Sequence, residues 1–253
     1  MGLRSRLNIG GADVDTQLHG DGTPGGPLPG VVVIQGGKRP QEFRRIYISV
    51  ETSYRREDSE GRKQSHGVTL LQQDVSGPVT IQPGQRIDLP LSVVLPPDSP
   101  LTLGRSPGVR LRTGLDVEKA IDPKDSDVVH VVPNLLQRAV LDAMDRLGLR
   151  LQEVEHEYDP HRGGQHRFVQ ELEFKPFGGH YQGRVDEVEL VFRAAGDGYD
   201  VHLEVDRRGR GVRGFLTELT NRDETRTGFR FGPAELAAGV IDGLLVQTID
   251  RAL

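Results

Sequence analysis

RIDLPLSVVL (residues 86–95) and VRLRTGLDV (residues 109–117) decide how this chain is read. In the first, Ile87, Leu89, Leu91 and Val93 recur at every second position. In the second, Val109, Leu111, Thr113, Leu115 and Val117 fall on one side, and Arg110, Arg112, Gly114 and Asp116 on the other. A period of two sends successive side chains to opposite faces of a sheet, so each strand has one buried and one wet face. That pattern belongs to layered antiparallel sheets, not to a parallel nucleotide-binding sheet.

Working outward, short strands are expected at residues 31–35, 43–54, 68–75 and 79–82. Residues 20–30 (GDGTPGGPLPG) are turn-forming, and residues 55–63 (RREDSEGRK) read as a charged hairpin tip. DPKDSD at residues 122–127 breaks the alternation before a short apolar run at 128–132 that ends at Pro133. A domain boundary is placed there. Asn134 is a good helix N-cap; Leu136, Val140, Ala143, Met144 and Leu147 share one face, and Gly148 suits a left-handed stop. Alternation returns at Phe168, Leu172 and Phe174, at Val188, Leu190 and Phe192, and at Val201, Leu203 and Val205. A compact turn is expected at Gly196-Asp197-Gly198. Residues 215–219 and 227–231 are expected to pair. Pro233 opens a last helix whose inward stripe is Leu236, Val240, Leu244 and Thr248, widened by Ile241, Leu245 and Ile249. The fold class is therefore mainly β, in two domains, residues 1–133 and 134–253.

Composition narrows the function. The 253 residues contain no tryptophan and no cysteine. Disulfides, thiolate metal sites, thiol nucleophiles and iron–sulfur clusters are excluded, and a reducing cytoplasm is the compatible setting. Residues 1–133 carry 16 basic and 16 acidic side chains, residues 134–253 carry 16 and 21, and the net formal charge is −5. Neither half is a basic nucleic-acid surface, so no nucleic-acid partner is expected. No apolar run approaches the ~20 residues of a membrane span, so no stable membrane insertion is expected. MGLRSRLNIGG has no long apolar segment of the kind a secretory signal needs.

Three clusters carry potential chemistry. His156, His161 and His166, with Glu157 and Asp159, fall within eleven residues and could ligate zinc or nickel. Their spacing is not that of one helical face, and Pro160, Gly163 and Gly164 argue for a polar hairpin loop, the preferred reading. Asp186, Glu187, Glu189, Glu204 and Asp206 include carboxylate pairs of the type glycoside hydrolysis uses. They alternate on strands, where a solvated face is the simpler account. Arg207, Arg208, Arg210 and Arg213 could grip phosphate or an acidic peptide, or even nucleic acid, but no aromatic interleaves them. No P-loop, nucleophile elbow, triad or metalloprotease pattern is present. No enzyme activity, cofactor or metal is expected.

Several stretches carry a family resemblance: VDT at residues 14–16, GVVVI at 30–34 followed by Gly36-Gly37, IQP at 81–83, and LPLSVVLPPDSP at 89–100. The most specific is TGLDVEKAIDPKDSDVVHVVP at 113–133; VQELEFKP at 169–176, DEVE at 186–189 and LEVDRRG at 203–209 agree with it. With these the chain resembles the bacterial sporulation-control proteins of the stage-zero M type, which look like arrestins. The resemblance implies an arrestin-like antiparallel β-sandwich followed by a second mainly-β domain with two flanking helices. It also implies a cytosolic, non-catalytic regulatory adaptor or scaffold that acts through protein–protein contacts. A homo-oligomer is compatible with this. Within that frame, Asp122, Asp125 and Asp127 are expected to meet Arg207 or Arg208 and form a polar interdomain hinge.

Overall fold

Alternating apolar residues build β-strands along most of the chain. The computed structural model describes residues 11–58, 60–117, 124–207 and 227–253. These divide into two compact units: one runs to Thr102 and continues through Pro107–Val132, and the other comprises Leu103–Ser106 and Pro133–Leu253.

The first unit holds β1 (Asp13–Leu18), β2 (Pro27–Gln35), β3 (Gln41–Glu57), β4 (Lys63–Ser76), β5 (Val79–Ile81), β6 (Arg86–Val94), β7 (Val109–Val117) and β8 (Lys124–Val129). One antiparallel sheet has the order β1-β2-β6. In the other, β7 pairs β3 and β8, while β4 and β5 also pair β3. Pro90 sits in β6, an edge strand, where a missing amide donor breaks no ladder. Leu28, Val32 and Ile34 of β2, Leu91 and Val93 of β6, Ile46, Ile48 and Val50 of β3, and Leu111 and Leu115 of β7 are all buried. Each contributes about 1.5–3 kcal/mol by leaving water. A Cβ at Gly114 would lie 2.4 Å from the end of the Tyr47 ring, so a larger residue there obliges Tyr47 to move.

The second unit opens with α1 (Leu135–Arg146). The Asn134 side chain caps it, accepting from the Leu136 and Gln137 amides at 3.1 Å each, and Gly148 (φ 77°) follows its end. Then come β9 (Leu149–Tyr158), β10 (Phe168–Pro176), β11 (Val185–Ala195), β12 (Gly198–Arg207), β13 (Thr227–Phe231), α2 (Pro233–Ala238) and α3 (Ile241–Ala252). The strands follow one another in order as antiparallel neighbours. One sheet face carries Val154, Leu172, Phe174, Val188, Leu190, Val201, Leu203 and Phe231. Val140 and Met144 of α1, and Ile241, Leu245 and Ile249 of α3, complete that core. The opposite face of the same sheet is rich in carboxylates.

The mainly-β class expected from the alternation is what the chain adopts, but several local expectations change. The hairpin tip is shorter: β3 runs to Glu57 and β4 starts at Lys63. The Asp58 carboxylate closes the turn by accepting from the Glu60 and Arg62 amides at 2.9 and 3.0 Å. The described part of DPKDSD, Lys124 to Asp127, is not a break but belongs to β8. The last helix is two. Gly239 in the left-handed conformation (φ 66°) ends α2 and resets the helical phase. Leu236 and Val240 are consequently exposed, and Ile241, Leu245, Thr248 and Ile249 take the inward stripe. β1 and β9 are not anticipated; β9 lacks clean alternation, whereas β1 alternates, with Val14 and Thr16 buried between exposed Asp13, Asp15 and Gln17. Residues 215–219 lie outside the described residues. Among the described residues, no helix is long and apolar enough to cross a membrane.

Candidate functional site

In β8 two aspartates share the inward face with the buried Val129. Asp125 and Asp127 are half-buried, while Val128 between them and the strand end is 52% exposed. Asp125 pairs Thr113 of β7 and Asp127 pairs Leu111, so both carboxylates share the inward side of the β7–β8 pair. There they meet β1. The Thr16 amide donates to Asp125 Oδ2 at 2.6 Å, and the Ser126 amide donates to Asp125 Oδ1 at 2.8 Å. Beside them the Thr16 and Thr113 hydroxyls lie 2.7 Å apart in a buried hydrogen bond. Burial, then the charge and hydrogen bond of Asp125, then Asp15, push the Asp127 carboxyl up to about 7. Asp127 Oδ2 is buried and has no hydrogen-bond partner among the described residues.

Of the expected hinge residues, then, Asp125 and Asp127 are engaged within the first unit. Arg207 ends β12, opposite Val185. Asp122 and Arg208 lie outside the described residues, as do Arg210 and Arg213.

The second candidate is the polar face of the second unit. Glu153 stands opposite Glu173, Glu173 opposite Glu189, and Glu189 opposite Glu204, so four adjacent strands present four glutamates in one row. Glu155 and Glu171 form a neighbouring pair, and Glu187 faces Asp206. Like charges placed directly opposite destabilise a sheet. The response is visible in the carboxyls. Burial, then Glu171 and Glu204, push Glu189 up to about 8. Burial pushes Glu171 up to about 7 against the pull of Arg162, and burial also leads the upward shifts of Glu187 and Asp206. Cations are few: Lys175 reaches Glu173 at 2.9 Å and Glu187 at 3.6 Å, and Arg162 reaches Glu171 at 3.5 Å. The expectation of a solvated face is overturned for Glu187, Glu189, Glu204 and Asp206, all half-buried; Asp186 alone of the five is exposed. The register explains this: their cross-strand neighbours are other carboxylates, not arginines.

The histidine cluster is dispersed. His156 belongs to β9, not to a loop, and is 1% exposed. Its ring packs on Phe168 at 5.6 Å, and its Nε2 lies 3.1 Å from Gln170 Nε2. His161 is exposed, and its amide donates to Asp159 Oδ1 at 2.8 Å. His166 ends the short 3-10 turn Gly164–His166, with its Nε2 at 2.9 Å from Gln165 Nε2. Asp159 organises this turn. Burial works to raise its carboxyl, but the Arg162 amide and guanidinium and the His161 amide outweigh it and hold the carboxyl below its ordinary value. Among the described residues, no group of three His, Asp or Glu side chains is arranged to hold a metal ion.

Backbone edges complete the inventory. β1 and β6 are the outer strands of the first sheet, and β13 is the outer strand of the second unit's sheet. Among the described residues each has one side not paired in its sheet, which is the raw material of strand addition.

Comparison with known proteins fits this geometry. The family model described as SpoOM protein matches residues 3–209. The chain is 39% identical over 237 residues to the sporulation-control protein spo0M of Bacillus subtilis (strain 168), covering 92% of this chain and 90% of that one. The crystal structure of Spo0M, sporulation control protein, from Bacillus subtilis superposes with a TM-score of 0.87 at 36% identity, over 97% of this chain and all of that one. At that level of agreement, along nearly the whole length, the chain belongs to the SpoOM family.

Proposed function

We propose that this protein is a non-catalytic regulatory adaptor in sporulation control, working in the cytoplasm through contacts with other proteins. The observation that carries this reading is the near full-length match to the Bacillus subtilis protein of that name. The chemistry of the chain supports it. Carboxylates with raised affinity for protons occur on the second unit's sheet, but they stand side by side along a row. Acid and base groups converging on one reacting atom would be a different arrangement. What two layered β units offer instead is edges and broad faces, which recruit partner segments by adding strands.

The test is complementation. A Bacillus subtilis strain lacking its own spo0M is supplied with this chain, and heat-resistant spores are counted. Restored counts are expected. Unchanged counts, with the chain accumulating to normal levels, overturn the sporulation role. Restoration that disappears on blocking the β1 and β13 edges with proline substitutions, at unchanged protein level, is the expected signature of an adaptor.

A further inference from the structure

The turn between β10 and β11 holds an aromatic ring in water: Phe177 is 67% exposed. Its backbone is fixed on every side. The Phe177 amide donates to Gly148 O at 2.7 Å, which ties the turn to the end of α1. Glycine at 148 makes this approach possible, since a Cβ there would lie 2.8 Å from the Gly178 carbonyl oxygen. Gly178 and Gly179, with φ of 85° and 74°, swing the chain round directly after the ring. The Gly178 amide donates to Gln182 Oε1 at 2.7 Å and closes the turn. Tyr181, fully buried, pins it into the second core. The ring is therefore displayed by a rigid support, and an occupant would order little of this chain on binding.

What surrounds the ring is cationic. The Arg150 guanidinium carbon lies 4.2 Å from the Phe177 ring centroid. Arg150 is exposed and, among the described residues, has the ring as its partner and no carboxylate. Stacking occupies the flat face of a guanidinium and leaves the N–H donors at its rim for a carboxylate in the same plane. Residues 174–185 contain no acidic side chain, and on the same turn Arg184 Nη1 contacts His180 Nε2. Lys175 already serves Glu173 and Glu187. An exposed aromatic beside an arginine is the composition of interface centres. We propose that Phe177 and Arg150 form a docking site for an acidic segment of a partner protein, which lays an apolar side chain on the ring and sets a carboxylate in the fork of Arg150. Charge complementarity names the occupant: the site is cationic within a half that carries 21 acidic and 16 basic side chains. That the partner is a protein rests on the adaptor reading. A lipid surface fits less well, because one aromatic is a small anchor and the acidic excess of this half is repelled by anionic headgroups.

The experiment titrates the full chain, followed by NMR, with three probes. These are a synthetic peptide of glutamates and aspartates around two leucines, the same peptide with lysine at every acidic position, and vesicles of phosphatidylserine and phosphatidylcholine. Saturable shifts of the Arg150, Phe177 and Gly178 amide signals are expected with the acidic peptide alone. Phe177→Ala and Arg150→Ala are each expected to weaken that binding about tenfold. Arg150→Lys is expected to recover only part of the loss, because lysine lacks the planar fork. Both side chains are exposed, so each variant is expected to keep the melting temperature of the unaltered chain, which separates lost docking from lost folding. No shift with the acidic peptide, shifts that lie elsewhere, or shifts that survive Phe177→Ala overturn the proposal. So does equal binding of the lysine peptide. Shifts with the vesicles and none with the acidic peptide assign the turn to a lipid surface and overturn it as well. Failed docking with restored spore counts ends this site and leaves the adaptor reading intact, whereas failed complementation with the peptide bound at Phe177 ends the sporulation role and leaves the site intact.

Discussion

Glu189→Gln tests whether the glutamate row is a stored cost of folding. The Glu189 carboxyl is pushed from its ordinary 4.5 to about 8 by burial and by its neighbours Glu171 and Glu204. On unfolding it returns to its ordinary value. Above about pH 4.5 the unfolded chain therefore gives up a proton that the folded chain keeps. More protons bound in the folded state means stability falls as pH rises, from near pH 4.5 up to about pH 8. At about 1.4 kcal/mol per pH unit, the ceiling for a change from pH 5 to pH 8 is about 3–4 kcal/mol from this one group. The side chain is only half-buried, and water reaching it reduces the effect to about 1–2 kcal/mol. Glutamine keeps the size and shape without the charge. The variant is expected to match the unaltered chain at pH 5 and to be about 1–2 kcal/mol more stable at pH 8. Urea unfolding at both pH values, with exchange of second-unit amides as the probe, measures the difference. Glu171, Glu187 and Asp206 titrate in both proteins, so the difference between them reports Glu189 together with its coupling to these neighbours. If the two proteins lose equal stability between pH 5 and pH 8, the raised affinity of Glu189 for protons is wrong, and with it the energetic reading of the row.

Other outcomes follow from packing. Leu172→Ala removes a fully buried side chain from the centre of the second core and is expected to cost about 2–5 kcal/mol in urea unfolding. Asn134→Ala strips the capping of α1 together with a 2.7 Å bond to the Tyr199 hydroxyl, for an expected loss of about 1–2 kcal/mol by the same measurement. Gly114→Ala drives a methyl into the Tyr47 ring and should lower stability by about 1–3 kcal/mol. With His156 packed on Phe168 and apart from the exposed His161, neither a chelator nor added zinc is expected to shift the melting temperature; a rise with stoichiometric zinc would contradict that placement.

The elements that were legible in the sequence share a property: their alternation is set by burial on a single face. Leu91 and Val93, or Leu111 and Leu115, point inward because each strand has one core side, and the period shows it without further information. The capped start of α1 and its glycine stop were equally plain, because Asn134 and Gly148 act through local backbone geometry. β9 was hidden by a register shift against β10 at Glu173/Phe174, which breaks the alternation between Leu151 and Val154. The split of the last helix turned on whether Gly239 took a positive φ, and a lone glycine in a helical stretch does not announce that.

The candidate sites were hidden for a different reason. Which carboxylates meet is a matter of register between strands far apart in sequence. Glu173, Glu189 and Glu204 look like ordinary outward residues one strand at a time; only the pairing lines them up. β8 is the sharper case. Val128 and Val129 are adjacent, so hydropathy does not say which turns inward; Val129 does, Val128 is exposed, and Asp125 on the face of Val129 holds a backbone amide of β1. A slip of one residue in β8 would exchange its two faces, turning Val128 inward and Val129 outward. What opposes that slip is Val129, buried at the end of the strand, together with the Thr16 and Ser126 amides that donate to Asp125. A strand that turns two aspartates inward along with one of its two valines is where local pattern and global fold disagree, and such disagreements collect at sites that do something. The two aspartates of that strand expected from the sequence to link the domains are thus placed by the β7–β8 pairing, and Asp125 spends its carboxylate on backbone amides of the first unit.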